Sequence, residues 1–310
     1  MFLNNKKLKY LIVLCSGFIV GVLALTQFGH IHTIINYHLG IDKLTDLKYI
    51  RITRIPKTQD IYFQGNGLRI AATLFRSQLN NPPGIVFLHG SSPLGRKHPF
   101  SLLLCQRLSR KGYHVLAMDM RGFGESDDPK DINNPESWQS YGDIRQAINY
   151  LIEHTDVDTG KIYIVGHSAG ANQAIIAGIK DSRIKKIVAI GPSRRVKERL
   201  LSNESKERPY FIQRFTRDRR INATLSWATY KQIAINAMID SHLSYFQKPD
   251  HKPILLIDGG RENLADLEFL RNLARQMKSP KKYVTIPNSN HYANSKGFGP
   301  FIFYHKKVFK

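Results

Sequence analysis

The stretch Gly166-His167-Ser168-Ala169-Gly170 constrains this chain more than any other. It follows the apolar run Lys161-Ile162-Tyr163-Ile164-Val165, which reads as a short buried strand. It precedes Ala171-Asn172-Gln173-Ala174-Ile175-Ile176-Ala177, which reads as the start of a helix. A strand, a G-x-S-x-G turn and a helix make a nucleophile elbow. The turn is so tight that a Cβ two residues before or after the serine would clash, so glycine stands at both places. Ser168 is then held in a strained backbone position with its hydroxyl above the sheet edge. The N–H of Ala169, at the helix N-terminus, points to where an attacked carbonyl oxygen gains charge. Five residues of common types are a short motif. The rest of the chain has to supply a base, an acid and a second oxyanion donor.

The surrounding pattern supplies a scaffold. Ile61-Tyr62-Phe63 and Leu68 to Phe75 flank Gly65-Asn66-Gly67, a hairpin by its turn chemistry. Apolar runs of buried-strand type follow at Ile85–Leu88, Val115–Met118, Ile187–Ile190, Pro253–Ile257 and Tyr283–Ile286. Helical spacing runs from Pro99 to Lys111 and from Ser137 to His154, the latter with Ile144, Ala147, Ile148 and Leu151 on one face. Short apolar strands alternating with helices predict a mostly parallel, doubly wound sheet with both faces covered. Sites in such sheets lie at the carboxyl ends of the strands. One region breaks the alternation. From 193 to 251 there is no strand pattern, and Arg194 to Arg220 holds ten Lys/Arg against four acids. A helical lid insertion over the strand ends fits that stretch. Its aromatic residues Tyr210, Phe211, Phe215 and Trp227 suit an acyl pocket or, better, the lid's own core.

After Leu88 come His89-Gly90-Ser91, and the backbone N–H of Ser91 is the candidate second oxyanion donor, with the His89 side chain packing the turn. After Met118 come Asp119-Met120-Arg121-Gly122-Phe123-Gly124-Glu125-Ser126. His-Gly after the third strand, D-x-R-G-x-G-x-S after the fourth and G-H-S-A-G after the fifth resemble the α/β-hydrolase superfamily over residues 57 to 295. The resemblance implies an eight-stranded, mainly parallel sheet with an antiparallel edge hairpin. It implies a catalytic serine, acid and histidine in that chain order, and a structural rather than chemical role for the Arg121 segment. The family's G-x-x-D after the seventh strand falls on Gly259 to Glu262, so Glu262 replaces the commoner aspartate, with Asp258 and then Asp266 as competitors. The histidine after the last strand is His291.

These parts predict a serine hydrolase of carboxylic ester or thioester bonds. His291 is the base, Glu262 its orienting acid, and the N–H groups of Ser91 and Ala169 the oxyanion donors. No cofactor or metal is required. An acyltransferase or serine peptidase would use the same triad, and a non-catalytic binding protein could share the fold. Only Cys15 and Cys105 occur, without metal-site spacing and poorly placed for a disulfide.

The N-terminus predicts a membrane partner. Residues 1–9 hold three lysines, and Tyr10 to Phe28 is a run of 19 uncharged, nearly all apolar residues. That run spans roughly 28 Å as a helix, close to a bilayer's hydrocarbon core. No Lys or Arg follows until Lys43, so the positive-inside rule keeps the N-terminus cytoplasmic and puts the body on the other side. A cleaved signal peptide is the alternative, giving a secreted body. Residues 29–56 read as a stalk and 57–310 as the hydrolase domain. A net charge of +22, from 46 Lys+Arg and 24 Asp+Glu, suits contact with anionic lipid; no nucleic-acid motif accompanies it.

Overall fold

The computed structural model describes residues 57–192, 208–209, 211, 225–238, 242–262, 264–278, 280–287 and 289–291. The expected anchor and stalk, Cys15, Tyr210, Phe215 and most of the basic half of the insertion lie outside them. Among the described residues, no helix is long and apolar enough to cross a membrane.

The expected hairpin is present as β1 (Thr58–Gly65) and β2 (Leu68–Phe75). Its turn residues Asn66 and Gly67 both take positive φ, 43° and 81°, the left-handed pair that a two-residue hairpin turn requires. The chain continues through β3 (Pro83–Leu88), α1 (Pro99–Arg110), β4 (His114–Met118), α2 (Tyr141–His154), β5 (Asp158–His167), α3 (Ala169–Lys180) and β6 (Ile184–Ile190). Two described helices of the insertion follow, α4 (Trp227–Asn236) and α5 (Leu243–Phe246), then β7 (Ile254–Gly259), α6 (Leu264–Gln276) and β8 (Lys281–Ile286).

All eight strands form one sheet in the order β1-β2-β4-β3-β5-β6-β7-β8. Strand β2 runs antiparallel to both neighbours, and every other pair is parallel. The central strands are buried nearly end to end. Burial on both faces is why they read as unbroken apolar runs rather than as an alternation. The register sets the carboxyl ends level: Leu88 pairs with Gly166, His167 with Ile190, and Ile190 with Ile257. The loops that leave those ends therefore emerge side by side, along the crevice where an open α/β sheet binds its ligand.

The helix expected from Ser137 is broken in two. A 3-10 turn, Pro135–Trp138, is capped by Asn134, whose Oδ1 accepts from the N–H of Glu136. The chain then extends at Gln139 before α2 begins. Trp138 explains the break. Its ring is drawn into the core, and its Nε1–H donates to the Ile132 carbonyl at 3.1 Å, a geometry a continuous helix would not allow.

In the insertion, Phe211, Trp227 and Tyr230 pack edge-on or tilted against one another with centroids 4.6 to 5.8 Å apart, an aromatic cluster among its described residues. Helix α4 is tied to the 131–138 loop by two hydrogen bonds. Thr229 Oγ1 donates to the Asn133 carbonyl at 3.3 Å, and Asn236 Nδ2 donates to Glu136 Oε1 at 3.0 Å.

Candidate active site

Ser168 stands between β5 and α3 with φ 54° and ψ −120°, a region that L-residues with a side chain rarely enter. Such a conformation costs on the order of 1–3 kcal/mol and persists only where its surroundings enforce it. Here Ser168 N–H donates to the Ile190 carbonyl at 2.8 Å, and its own carbonyl accepts from Ala171 N–H at 2.9 Å. The flanking glycines let the backbones close up. A Cβ on Gly166 would strike the Gly170 carbonyl, and one on Gly170 would strike the carbonyls of Leu88 and His89.

The other members arrive from β7 and β8. The loop after β7 is sewn to the loop after β8: Gly260 N–H donates to the Ile286 carbonyl and Arg261 N–H to the Ser289 carbonyl, both at 2.8 Å. This pairing brings Glu262 and His291 together. His291 Nδ1 lies 2.8 Å from Glu262 Oε1, and His291 Nε2 lies 2.9 Å from Ser168 Oγ. A carboxylate only accepts, so Nδ1 carries the proton and donates to Glu262. Nε2 is then left to accept the Ser168 hydroxyl proton. Asp258, the competing acid, is fully buried at the end of β7, with Tyr283 Oη donating to its Oδ2 at 3.4 Å. The hydrogen-bonded acid is Glu262. The side chain of Asp266 lies outside the described residues. Gly191 makes room for the base, since a Cβ there would sit 3.1 Å from His291 Cε1.

Ser91 and Ala169 face the same cavity, of about 150 Å³, beside the elbow. Ala169 is the first residue of α3, where backbone N–H groups have no acceptor within the helix. Phe123, Trp138, Tyr230 and Ile233 supply much of the remaining wall. Tyr230 thus joins the pocket as well as the insertion's aromatic cluster.

Two buried histidines hold this floor in place. His89 Nε2 accepts from Met120 N–H at 3.1 Å, so its proton is on Nδ1, which donates to the Gly90 carbonyl at 2.7 Å. Both nitrogens are used for packing the turn, and burial holds its pKa below the ordinary imidazole value. His167, the variable residue inside the G-x-S-x-G motif, was not singled out from the sequence. Its Nε2–H donates to the backbone carbonyl of His291 at 3.2 Å. Burial, and secondarily the neighbouring His291, push its pKa well down, so it is a neutral strut under His291. Nothing in the sequence marks it, because its partner is 124 residues away.

The D-x-R-G-x-G-x-S segment after β4 builds a separate cluster. Fully buried Arg96 pairs with Asp119, donates from Nε to Thr73 Oγ1 at 3.0 Å, and reaches Glu125 at 2.7 Å. The Glu125 carboxyl, bonded by Lys97 and Arg96, is held down at about 2. Arg121 donates to both oxygens of Asp143, at 2.7 and 2.8 Å, and to the Ser137 carbonyl at 2.7 Å. The charged groups of the segment are paired with one another and with Asp143, while its Phe123 lines the cavity beside the elbow.

The fold agrees with the comparisons to known proteins. A family model described as the alpha/beta hydrolase fold matches residues 83–224. The chain has the α/β-hydrolase fold. It is 23% identical to the AB hydrolase superfamily protein YisY of Bacillus subtilis over 71% of this chain and 89% of that protein. It is 29% identical to Epoxide hydrolase 2 of Siraitia grosvenorii over 36% of this chain, which is 33% of that protein. A 28% identical stretch of 122 residues spans 37% of this chain but 2% of a multifunctional-autoprocessing repeats-in-toxin protein of Vibrio cholerae. The chain therefore spans a third or less of the length of these last two relatives. Among solved structures, the α/β hydrolase GrgF from Penicillium superposes with a TM-score of 0.62 at 17% identity, over 82% of this chain and 97% of that one. The esterase PF2001 of Pyrococcus furiosus gives 0.58 at 16% identity, over 86% and 92%. At these identities the structural likeness is one of fold.

Proposed function

We propose that this protein is a serine hydrolase that cleaves carboxylic ester or thioester bonds through an acyl-enzyme on Ser168. The observation that carries the reading is the unbroken chain Ser168 Oγ, His291 Nε2, His291 Nδ1, Glu262 Oε1, with links of 2.9 and 2.8 Å. His291 Nε2 takes the hydroxyl proton as Ser168 Oγ attacks the carbonyl carbon. Glu262 stabilises the imidazolium so formed without taking its proton. The carbonyl oxygen becomes an anion, received by the N–H groups of Ala169 and Ser91. His291 then returns its proton to the leaving oxygen or sulfur as that bond breaks. Water, deprotonated by the same nitrogen, releases the acid and restores Ser168. The carbonyl class is supported by the fold neighbour named as an esterase.

The apolar run from Tyr10 to Phe28 and its basic flank support a membrane-anchored enzyme with its body on the non-cytoplasmic face. If most of the full-length chain is extracted from membranes by alkaline carbonate, that part is wrong.

The central test is hydrolysis of p-nitrophenyl acetate by the full-length chain in detergent, beside Ser168→Ala. The expected loss of turnover is about a million-fold, the scale seen when a triad serine is removed. Equal turnover by the two proteins would refute the acyl-enzyme.

A further inference from the structure

We propose that the acyl half of the substrate is compact, of the size of a single benzoyl group, and that α4 sets this limit. The inference rests on the acyl-enzyme reading above and adds a substrate class to it.

Position shows which half of the substrate the cavity receives. The leaving atom must lie beside His291 Nε2 to collect its proton. The cavity beside the elbow is walled by Ser91 and Ala169, the candidate oxyanion donors, and its lining stops short of Ser168, His291 and Glu262 alike. It therefore lies on the carbonyl side, away from the leaving group.

Size comes next. The cavity holds about 150 Å³. An apolar protein cavity of about 150 Å³ takes one benzene molecule. Three aromatic side chains, Phe123, Trp138 and Tyr230, offer faces and edges to such a ring. A palmitoyl chain has several times the carbon of a benzoyl group, and most of it would lie beyond these walls.

The limit is adjustable because it is set from α4, which carries Tyr230, Ile233 and Ala234 into the wall and stands on the insertion rather than on the sheet. The test measures kcat/KM of the full-length chain in detergent for p-nitrophenyl acetate, benzoate, decanoate and palmitate. Each variant is compared with the wild type, so that the intrinsic reactivity of each ester cancels. Ala234→Leu should lower the benzoate-to-acetate ratio of kcat/KM about tenfold or more, since even a methylene-sized misfit in an apolar pocket is worth that much. Ile233→Ala should raise decanoate relative to acetate by about tenfold, for the converse reason. Wild-type enzyme that prefers palmitate to every shorter ester would overturn the proposal. So would equal responses of all four esters to both variants, while Ser168-dependent acetate hydrolysis would keep the acyl-enzyme standing. Acetate turnover that survives Ser168→Ala would remove both.

Discussion

Two polar clusters sit on adjacent loops of this sheet, and they use their hydrogen bonds in opposite ways. Around Asp119 the strong groups are consumed internally: the Arg96 guanidinium and the backbone N–H groups of Arg96 and Glu125 converge on one buried carboxylate, and Ser126 Oγ donates to the Asp119 backbone carbonyl. Around Ser168 the chain of bonds is linear and ends at a reactive hydroxyl. The His291 side chain is 43% exposed, while Arg96 and Asp119 are each 1% exposed. A closed network rigidifies, and an open one can pass a proton to a substrate. Each cluster carries a conspicuous motif, D-x-R-G-x-G-x-S or G-H-S-A-G, and only connectivity separates the closed network from the open one.

The largest effect that sharpens this contrast, beyond removal of Ser168, belongs to Glu262. Glu262→Gln keeps the shape but presents an amide to His291, favouring the wrong tautomer. The expected fall in kcat is about ten-thousand-fold, as for a triad acid, with little change in thermal stability. If kcat falls less than tenfold while Asp258→Asn abolishes turnover, the acid has been misassigned.

Arg96 should behave in the reverse manner. Arg96→Met leaves the Asp119 carboxylate buried without its main cation, which costs about 3–5 kcal/mol of stability. Activity per folded molecule on p-nitrophenyl acetate should stay near wild type at low temperature. A stable variant with ruined kcat would show that the two clusters are coupled, and the contrast would fail.

Acid titration separates the clusters again, because each loses stability in its own window. His89 and His167 are buried with lowered pKa values, so the folded protein keeps them neutral. The unfolded chain takes up their protons near the ordinary value of 6.5. Unfolded protein then binds more protons, and stability falls as pH drops below that point, by up to about 1.4 kcal/mol per pH unit for each histidine. Glu125 works lower. Its pKa is depressed to about 2 from 4.5, so its contribution is complete above the unfolded value and lost as pH falls between the two. In urea titrations, His167→Gln should flatten the upper slope and Glu125→Gln only the lower one. Equal slopes in wild type and His167→Gln between pH 6.5 and 5 would show that the strut is not held neutral.

The sequence made much of this legible for a physical reason. Buried parallel strands are continuous apolar runs, and an elbow needs glycines at fixed offsets from its serine. Glu262 and His291 could be found because each leaves the carboxyl end of a recognisable strand within a few residues. What stayed hidden depends on long-range pairing. Arg96 looks like a surface cation in Gly95-Arg96-Lys97, and only the fold brings it to Asp119, 23 residues on. His167 occupies a position the motif leaves open. The break before α2 was invisible because Ser137 and Trp138 fit helical spacing, while the indole's partner, the Ile132 carbonyl, lies in the preceding loop.

The smallest prediction probes the elbow itself. Ser168→Ala and Ser168→Gly both lose the nucleophile and the bond to His291, so they differ only by a Cβ. At an ordinary position alanine is the more stable of the two by roughly 0.5–1 kcal/mol, because glycine gives up more freedom on folding. At φ 54° and ψ −120° the Cβ carries the strain, and glycine takes that conformation readily. The order should therefore invert, with the glycine variant more stable by about 1 kcal/mol in urea denaturation. Strain that disappears when a Cβ is removed belongs to the turn geometry that presents Oγ to His291, and no comparable inversion is expected in the Asp119 cluster, where stability comes from paired charge. An alanine variant as stable as the glycine variant, or more so, would mean that the elbow holds its serine without stored strain.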